Sequence, residues 1–358
     1  MMRIRRSFIA ILIAVLLCFF ASACTLFENL GGKEIKFDDL REVYYLYTGD
    51  YTDLNGEIFA YVCGIYGYKA SSISVGTLLV SDKIYITENN VAISHVAYAG
   101  DKKLVWTEFD QDGNASLKLY DIKTAEIIEL DSFKCDAMTP FYMGTYNNSV
   151  YYLILSEEYA KILSVNIKSG TKSEILSESM PDSGDIDDFP IYNLAVNDHY
   201  LVYVTQADHI LSVNTMDLDT GETAKQALPS TVNITFNIAY SASAKSSFIY
   251  YADYDSGKDF LSVFNGSELS TIEELPKNYY LYHDILSLNG DYLCYNIQKR
   301  VSGEIKDHYS GRIYNIKTAK KSAQPKYSFF TAVYNENRYN VCFTEKGTTS
   351  VYLRIHQG

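Results

Sequence analysis

Six histidines, His95, His199, His209, His283, His308 and His356, are the first residues to test for chemistry in this 358-residue chain. No two lie at i, i+4 and no HExxH occurs, so the spacing that puts two zinc ligands and a general base on one helix is absent. No GxSxG turn is present to raise a serine nucleophile. Carboxylates are abundant, 44 Asp and Glu against 31 Lys and Arg, so paired acids carry no information by number alone. Two runs could hold a hard cation through oxygen. Asp110-Gln111-Asp112-Gly113-Asn114 alternates oxygen ligands but lacks the spacing and distal Glu of an EF-hand loop, and a hairpin turn accounts for it better. The segment 182–188 packs Asp182, Asp185, Asp187 and Asp188 into seven residues, the composition of a solvated acidic loop. Calcium is the only cofactor either run suggests, and no catalytic residue is assigned.

One cysteine has a chemistry of its own. Arg3, Arg5 and Arg6 precede an apolar run from Phe8 to Phe20, followed by Ala21-Ser22-Ala23-Cys24. A basic start, an apolar core and small residues before a cut site form a secretory signal. The run is shorter than the roughly 20 residues a membrane span needs. Ala21-Ser22-Ala23-Cys24 resembles a lipobox, which implies a bacterial lipoprotein cleaved before Cys24 and lipidated on it. Residues 1–23 are then a signal peptide and 24–33 a tether that reaches about 30 Å when extended. The expected location is the outer, extracytoplasmic face of a cell membrane, periplasmic or at the cell surface.

Removal of residues 1–23 removes three positive charges and leaves 28 Lys and Arg against 44 acids, a balance of −16. That excludes nucleic acid as the expected partner, because phosphate binding rests on neutralisation by Lys and Arg. Cys63, Cys135, Cys294 and Cys342 remain, widely spaced and without a CxxC pair, so zinc and thiol redox motifs are excluded. They read as small core residues. Export permits disulfides, and the sequence assigns no pairing.

The elements that position these residues repeat. Apolar-x-aromatic triplets recur with their last residues at Tyr61, Trp106, Tyr152, Tyr203, Tyr251, Tyr295 and Phe343, at spacings of 45, 46, 51, 48, 44 and 48. Each anchor is followed by another β run and a polar turn, clearest at Tyr120–Glu126, Val165–Gly170, Asp217–Glu222 and Tyr314–Ala319. Asp or Asn followed by Thr or Ser and then Gly or Ala is turn chemistry. A short strand follows, as at Ile127–Leu130 and Ser173–Leu176. Four short strands every 40–50 residues mark the blades of a propeller. Residues 34–358 are therefore expected to form an all-β propeller of seven four-stranded blades, six or eight being the alternatives. Glu34–Phe37 is expected to supply the fourth strand of the last blade, whose third is Val351–Ile355.

Val105-Trp106-Thr107-Glu108, Tyr250-Tyr251-Ala252-Asp253 and Cys342-Phe343-Thr344-Glu345 resemble degenerate YWTD repeats. The polar turns resemble those of TolB-like propellers. The resemblance spans about residues 34–358 and implies a propeller lipoprotein. No blade holds an intact YWTD, and seven units differ from the six usual in both groups.

Alternating strands place the loops between blades, and those between second and third strands, on one side. Tyr66–Gly76, Asp110–Ser116, Glu157–Tyr159, Ser177–Pro190, Tyr254–Phe260 and Gln298–Gly311 are expected to be its long loops. A binding face is expected from Tyr66, Tyr68, Tyr159, Tyr254, His308 and Tyr309, with Lys299, Arg300 and Lys306 as a basic patch and Asp185, Asp187 and Asp188 at the rim. Exposed Tyr suits protein and glycan contacts. The tether leads to the opposite side, so this face is expected to point away from the membrane. The expected function is non-enzymatic binding or scaffolding of a protein or glycan. The alternatives are an accessory subunit of a transporter or envelope machine, or a hydrolase or lyase with a channel site.

Overall fold

The computed structural model describes residues 33–37, 51–53, 59–63, 72–76, 81–86, 91–135, 142–180, 189–232, 234–253, 256–281, 286–301, 304–326, 328–334, 337–343 and 351–356. These residues are all-β, in seven antiparallel sheets. Blade 1 holds Tyr51–Asp53, Phe59–Cys63, Ser72–Gly76 and Ser81–Ile86. Blade 2 holds Ala92–Tyr98, Lys103–Phe109, Asn114–Asp121 and Glu126–Lys134. Blade 3 holds Tyr142–Tyr146, Ser149–Leu155, Tyr159–Asn166 and Lys172–Ser179. Blade 4 holds Ile191–Asn197, Tyr200–Ala207, Ile210–Asp217 and Thr223–Ala227. Blade 5 holds Ile234–Ser241, Ser246–Asp253, Lys258–Phe264 and Leu269–Leu275. Blade 6 holds Tyr279–Leu281, Ser287–Asn289, Tyr292–Val301, Glu304–Asn315 and Lys320–Lys326. Blade 7 holds Ser328–Tyr334, Asn337–Phe343 and Val351–His356, and Lys33–Phe37 joins it as the fourth strand.

The closing strand runs antiparallel to the third strand of blade 7, Lys33 opposite Ile355 and Phe37 opposite Val351. Blade 7 thus takes one strand from the start of the chain and three from its end. Pairing of this kind covers an edge that would otherwise be open. First strands of consecutive blades contact one another from blade 1 through blade 7, which puts them nearest the axis.

All seven anchor triplets fall in second strands. In blades 2 to 5 these strands are buried on both faces, and Trp106, Tyr152, Tyr250 and Tyr295 are among the largest fully buried side chains. Burying one such ring contributes about 2–3 kcal/mol. In blades 2 to 5 the outermost strands are the wetter ones; Thr223–Ala227 is exposed throughout. Cys294 is buried and Cys135 half-buried, while Cys63 and Cys342 are placed by backbone alone.

The turns between third and fourth strands share one design. Asp121 Oδ1 accepts from the Lys123 and Thr124 amides, Asn166 Oδ1 from Lys168 and Ser169, and Asp217 Oδ1 from Asp219 and Thr220. Asn315 Oδ1 accepts from Thr318. The fifth residue of each turn is left-handed: Ala125 at φ 57°, Gly170 at 69°, Gly221 at 76° and Ala319 at 52°. The second residue docks each turn on the adjacent hairpin, for Ile122 donates to Lys102 O and Ile167 to Asn148 O. Leu218 and Ile316 repeat the contact with His199 O and Asp291 O. This is the turn side of the ring; the connections between blades lie on the other, linker side.

Candidate functional site

The linker side departs from expectation in its strand lengths. Gln298–Gly311, expected as a loop, is a β-ribbon: Tyr292–Val301 and Glu304–Asn315 pair to the last residue, with Val301 opposite Glu304. Strands also claim Ser72–Gly76, Asn114–Ser116, Tyr159, Ser177–Ser179 and Lys258–Phe260 from the other expected loops. Apolar and polar residues alternate through Ser72–Gly76 and Asn114–Ser116, while in the others backbone pairing prevails over a polar sequence. Asp110 closes the four-residue turn of blade 2, its Oδ1 accepting from the Asp112 and Asn114 amides at 2.9 Å and its Oδ2 from Asn114 Nδ2 at 2.7 Å. Those hydrogen bonds, the Asn114 side chain first, hold its carboxyl below the usual range.

Of the expected binding residues, the described ones fall on blades 3 and 6. Lys299, Arg300, Lys306, His308 and Tyr309 share the blade 6 ribbon, with Gln298 opposite Tyr309 and Arg300 opposite Ile305. Tyr159 stands on blade 3, half-buried against the core between blades 2 and 3, with Lys161 Nζ 4.7 Å from its ring centre. Cys24, Tyr66, Tyr68, Tyr254, Asp182, Asp185, Asp187 and Asp188 lie outside the described residues.

Blade 6 breaks the repeat twice. Its innermost strand comes in two pieces: Tyr279–Leu281 pairs with Ile297–Lys299, and Ser287–Asn289 with Tyr292–Cys294. Asn296 sits where neither piece reaches, and its buried Oδ1 has no hydrogen-bond partner among the described residues. The ribbon strands are 10 and 12 residues long, against seven or eight for second and third strands of blades 2 to 5. A register shift falls between Gln298 and Arg300 at the base of the extension. Lys299 Nζ lies 5.5 Å from the Tyr279 ring centre and ties the ribbon to the inner strand.

Around the axis, the described inner strand of blade 1, Tyr51–Asp53, carries the acid Asp53. The inner strands of blades 2 to 7 contain no Asp, Glu, Lys or Arg. Bulges recur near their linker-side ends, at Ile93/Val96, Ile191/Asn193, Thr235/Asn237 and Ser328/Phe330. The Tyr142 hydroxyl of blade 3 donates to Phe236 O of blade 5 at 3.1 Å, past blade 4. Asn193 of blade 4 donates to Thr235 Oγ1 at 3.1 Å. These contacts bind three blades together around the axis.

The buried and half-buried carboxylates described are engaged in packing. Glu108 accepts from Trp106 Nε1 at 2.8 Å and pairs with Lys118 at 2.7 Å. Asp131 of blade 2 accepts from the Tyr152 hydroxyl and from Lys172, both of blade 3. Glu273 of blade 5 accepts from the Tyr295 hydroxyl at 3.0 Å and from Lys321, both of blade 6. The last two sets are one device used twice: a second-strand Tyr and an outer-strand Lys clamp the preceding blade's outer-strand acid. Burial, then the acid, push both hydroxyls above the usual tyrosine range. Asp259 is raised by burial against an opposing hydrogen bond from Tyr250, 2.7 Å away. Sequence reasoning missed the clamps because their members lie 21 to 48 residues apart.

No family model matches the sequence, and no curated protein matches it. Solved structures do. An oligogalacturonate lyase in complex with manganese superposes with a TM-score of 0.53 at 11% identity, over 90% of this chain and 97% of that one. The β-propeller domain of the trilobed protease of Pyrococcus furiosus gives 0.54 at 12% identity, over 82% and 90%. The chain is a β-propeller. The likeness, at such identities, is one of fold. The Pyrococcus domain has an open velcro topology, whereas this propeller pairs Lys33–Phe37 with its final strand. Among the described residues, no group of three or more His, Cys, Asp or Glu is placed to hold a metal ion.

Proposed function

We propose that this propeller is an exported lipoprotein, anchored through Cys24 on the outer side of a membrane, that binds a protein or glycan without transforming it. The observation that carries the binding reading is the state of the ionisable groups. The described inner strands of blades 2 to 7 bear no Asp, Glu, Lys or Arg, and Glu108, Asp131 and Glu273 are held by partners from within or between blades. General acid–base work needs a group poised to move a proton to substrate, and these carboxylates are spent on packing.

The anchor reading rests on Ala21-Ser22-Ala23-Cys24. It gains a geometry from the closing strand, because Lys33 begins on the turn side, opposite Ile355. A tether of nine residues spans at most about 30 Å, so the turn side faces the bilayer and the blade 6 ribbon points outward.

Labelling cells with an alkyne fatty acid tests the anchor. The wild-type chain is expected to carry the label in the membrane fraction, and Cys24→Ala to lose it and leave that fraction. Cross-linked affinity capture tests the binding reading: a partner recovered intact supports it, and turnover of that partner by the purified protein contradicts it.

A further inference from the structure

Each sheet ends on an outer strand whose far edge pairs with no described strand. Such an edge is a template for a further strand, and short length, lysine or proline discourages the pairing. Thr223–Ala227 and Lys33–Phe37 have five residues each and carry Lys225, or Lys33 and Lys36. Ser81–Ile86 has six and carries Lys83. Lys320–Lys326 holds Lys320, Lys321, Lys326 and Pro325. Lys172–Ser179 and Leu269–Leu275 half-bury their middle apolar residues, Ile175, Leu176 and Ile272.

Glu126–Lys134 of blade 2 is different. It is the longest outer strand, at nine residues, and its one lysine stands at the last position. Ile127 and Ile128 are 41% and 47% exposed. Consecutive side chains project to opposite faces of a sheet, so the two isoleucines flank the free edge on both sides. The ladder holds them there, with buried Tyr120 opposite Ile127 and buried Leu119 opposite Ile128.

Charge along this strand is sorted by position. Glu126 and Glu129 occupy the half nearest the turn and Lys134 the other end, while Asp131 is withdrawn into the clamp with Tyr152 and Lys172. Antiparallel pairing with an identical strand sets Lys134 of each copy toward the acids of the other, whereas parallel pairing sets acid beside acid. Lys134 Nζ donates to Asp112 O at 3.2 Å, and an ammonium has further donors to give. Antiparallel self-pairing is also the arrangement that a two-fold axis produces.

We infer that blade 2 is a self-association surface, on which a second copy of this chain pairs antiparallel along Glu126–Lys134. Two four-stranded blades then form one continuous sheet across a two-fold axis. Ile127 and Ile128 of both copies are covered, and the contacts of Glu126 and Glu129 with Lys134 fix the strand direction. The inference is independent of the binding reading proposed above. One strand pair is a small interface beside the roughly 1,200–2,000 Å² of a stable complex, so the dimer is reversible and dissociates in the micromolar range.

Sedimentation of the full chain in detergent measures the equilibrium, and a concentration-dependent passage from monomer to dimer is expected. I127K/I128K is expected to weaken the dimer by about tenfold or more with melting unchanged. I210K, at a still more exposed isoleucine on blade 4, is expected to leave it within about twofold. E126K/E129K is expected to weaken it too, and adding K134E to that variant to restore it. On cells, a benzophenone side chain in place of Ile128 is expected to cross-link to residues 126–134 of a second copy. A monomer at every concentration, equal loss with I210K, no recovery on the charge swap, or cross-links only to another protein or another blade overturns the inference.

Discussion

Blades 2 and 6 share a plan and diverge on one side of the ring. In both, a second strand carries a buried aromatic anchor, Trp106 and Tyr295, and the third strand ends in an Asx-capped turn whose fifth residue is a left-handed alanine. Blade 2 keeps one continuous inner strand and closes its linker-side hairpin with a four-residue turn held by Asp110. Blade 6 splits the inner strand and runs its hairpin on into a ribbon. The repeat is thus kept where turns dock and abandoned on the linker side of blade 6. Rigid scaffolds vary where binding is carried.

The largest effect expected within this comparison comes from the anchors. Trp106→Ala and Tyr295→Ala, at two fully buried anchors, should each cost about 3–5 kcal/mol in denaturant unfolding. Comparable losses would mean that blade 6 is packed as tightly as the rest.

Next come the two clamps. Asp131→Ala and Glu273→Ala each strip a charged acceptor from a buried Tyr and a Lys, which should cost about 2 kcal/mol apiece. Values agreeing within about 1 kcal/mol would show that blade 6 retains the clamp of the regular blades; a negligible loss at Glu273 alone would show that it does not.

The pH dependence follows from the raised tyrosines. The folded state holds the Tyr152 and Tyr295 protons more firmly than the unfolded chain does. Their contribution is complete below the ordinary tyrosine range and is lost as pH rises past about 10. Thermal melts from pH 8 to 11 should fall with pH, and Tyr152→Phe should begin about 1 kcal/mol lower yet decline less. A parallel decline would remove Tyr152 from the alkaline transition.

The smallest effect is a gain. Ala125→Gly and Ala319→Gly relieve a left-handed Cβ in blades 2 and 6 and should each stabilise by about 0.5 kcal/mol. Equal gains in calorimetry would confirm that the turn side is regular in both blades; a gain in blade 2 only would extend the irregularity of blade 6 to its turn.

The regular part was legible because it is periodic. Aromatic anchors recur about every 47 residues, the Asp/Asn–Thr/Ser–Gly/Ala turns keep their phase, and Glu34–Phe37 stands as an orphan strand ahead of the first unit. The irregular part was not. Ser302-Gly303 inside a polar stretch reads as the middle of a loop, although the flanking residues pair to within one step of it. The clamps at Asp131 and Glu273 join residues from different blades, which no local pattern reveals. Bulges in the inner strands leave no mark in composition. The lipid anchor at Cys24 was read from the lipobox resemblance alone and stays a proposal.

Hydrogen–deuterium exchange of the full chain, with and without the cellular partner it captures, tests the central claim most directly. Protection is expected across 292–315, strongest in the ribbon, with blades 2 to 4 unchanged. Protection confined to the inner strands Tyr142–Tyr146, Ile191–Asn197 and Ile234–Ser241 would place the ligand at the axis and contradict the assignment of binding to blade 6.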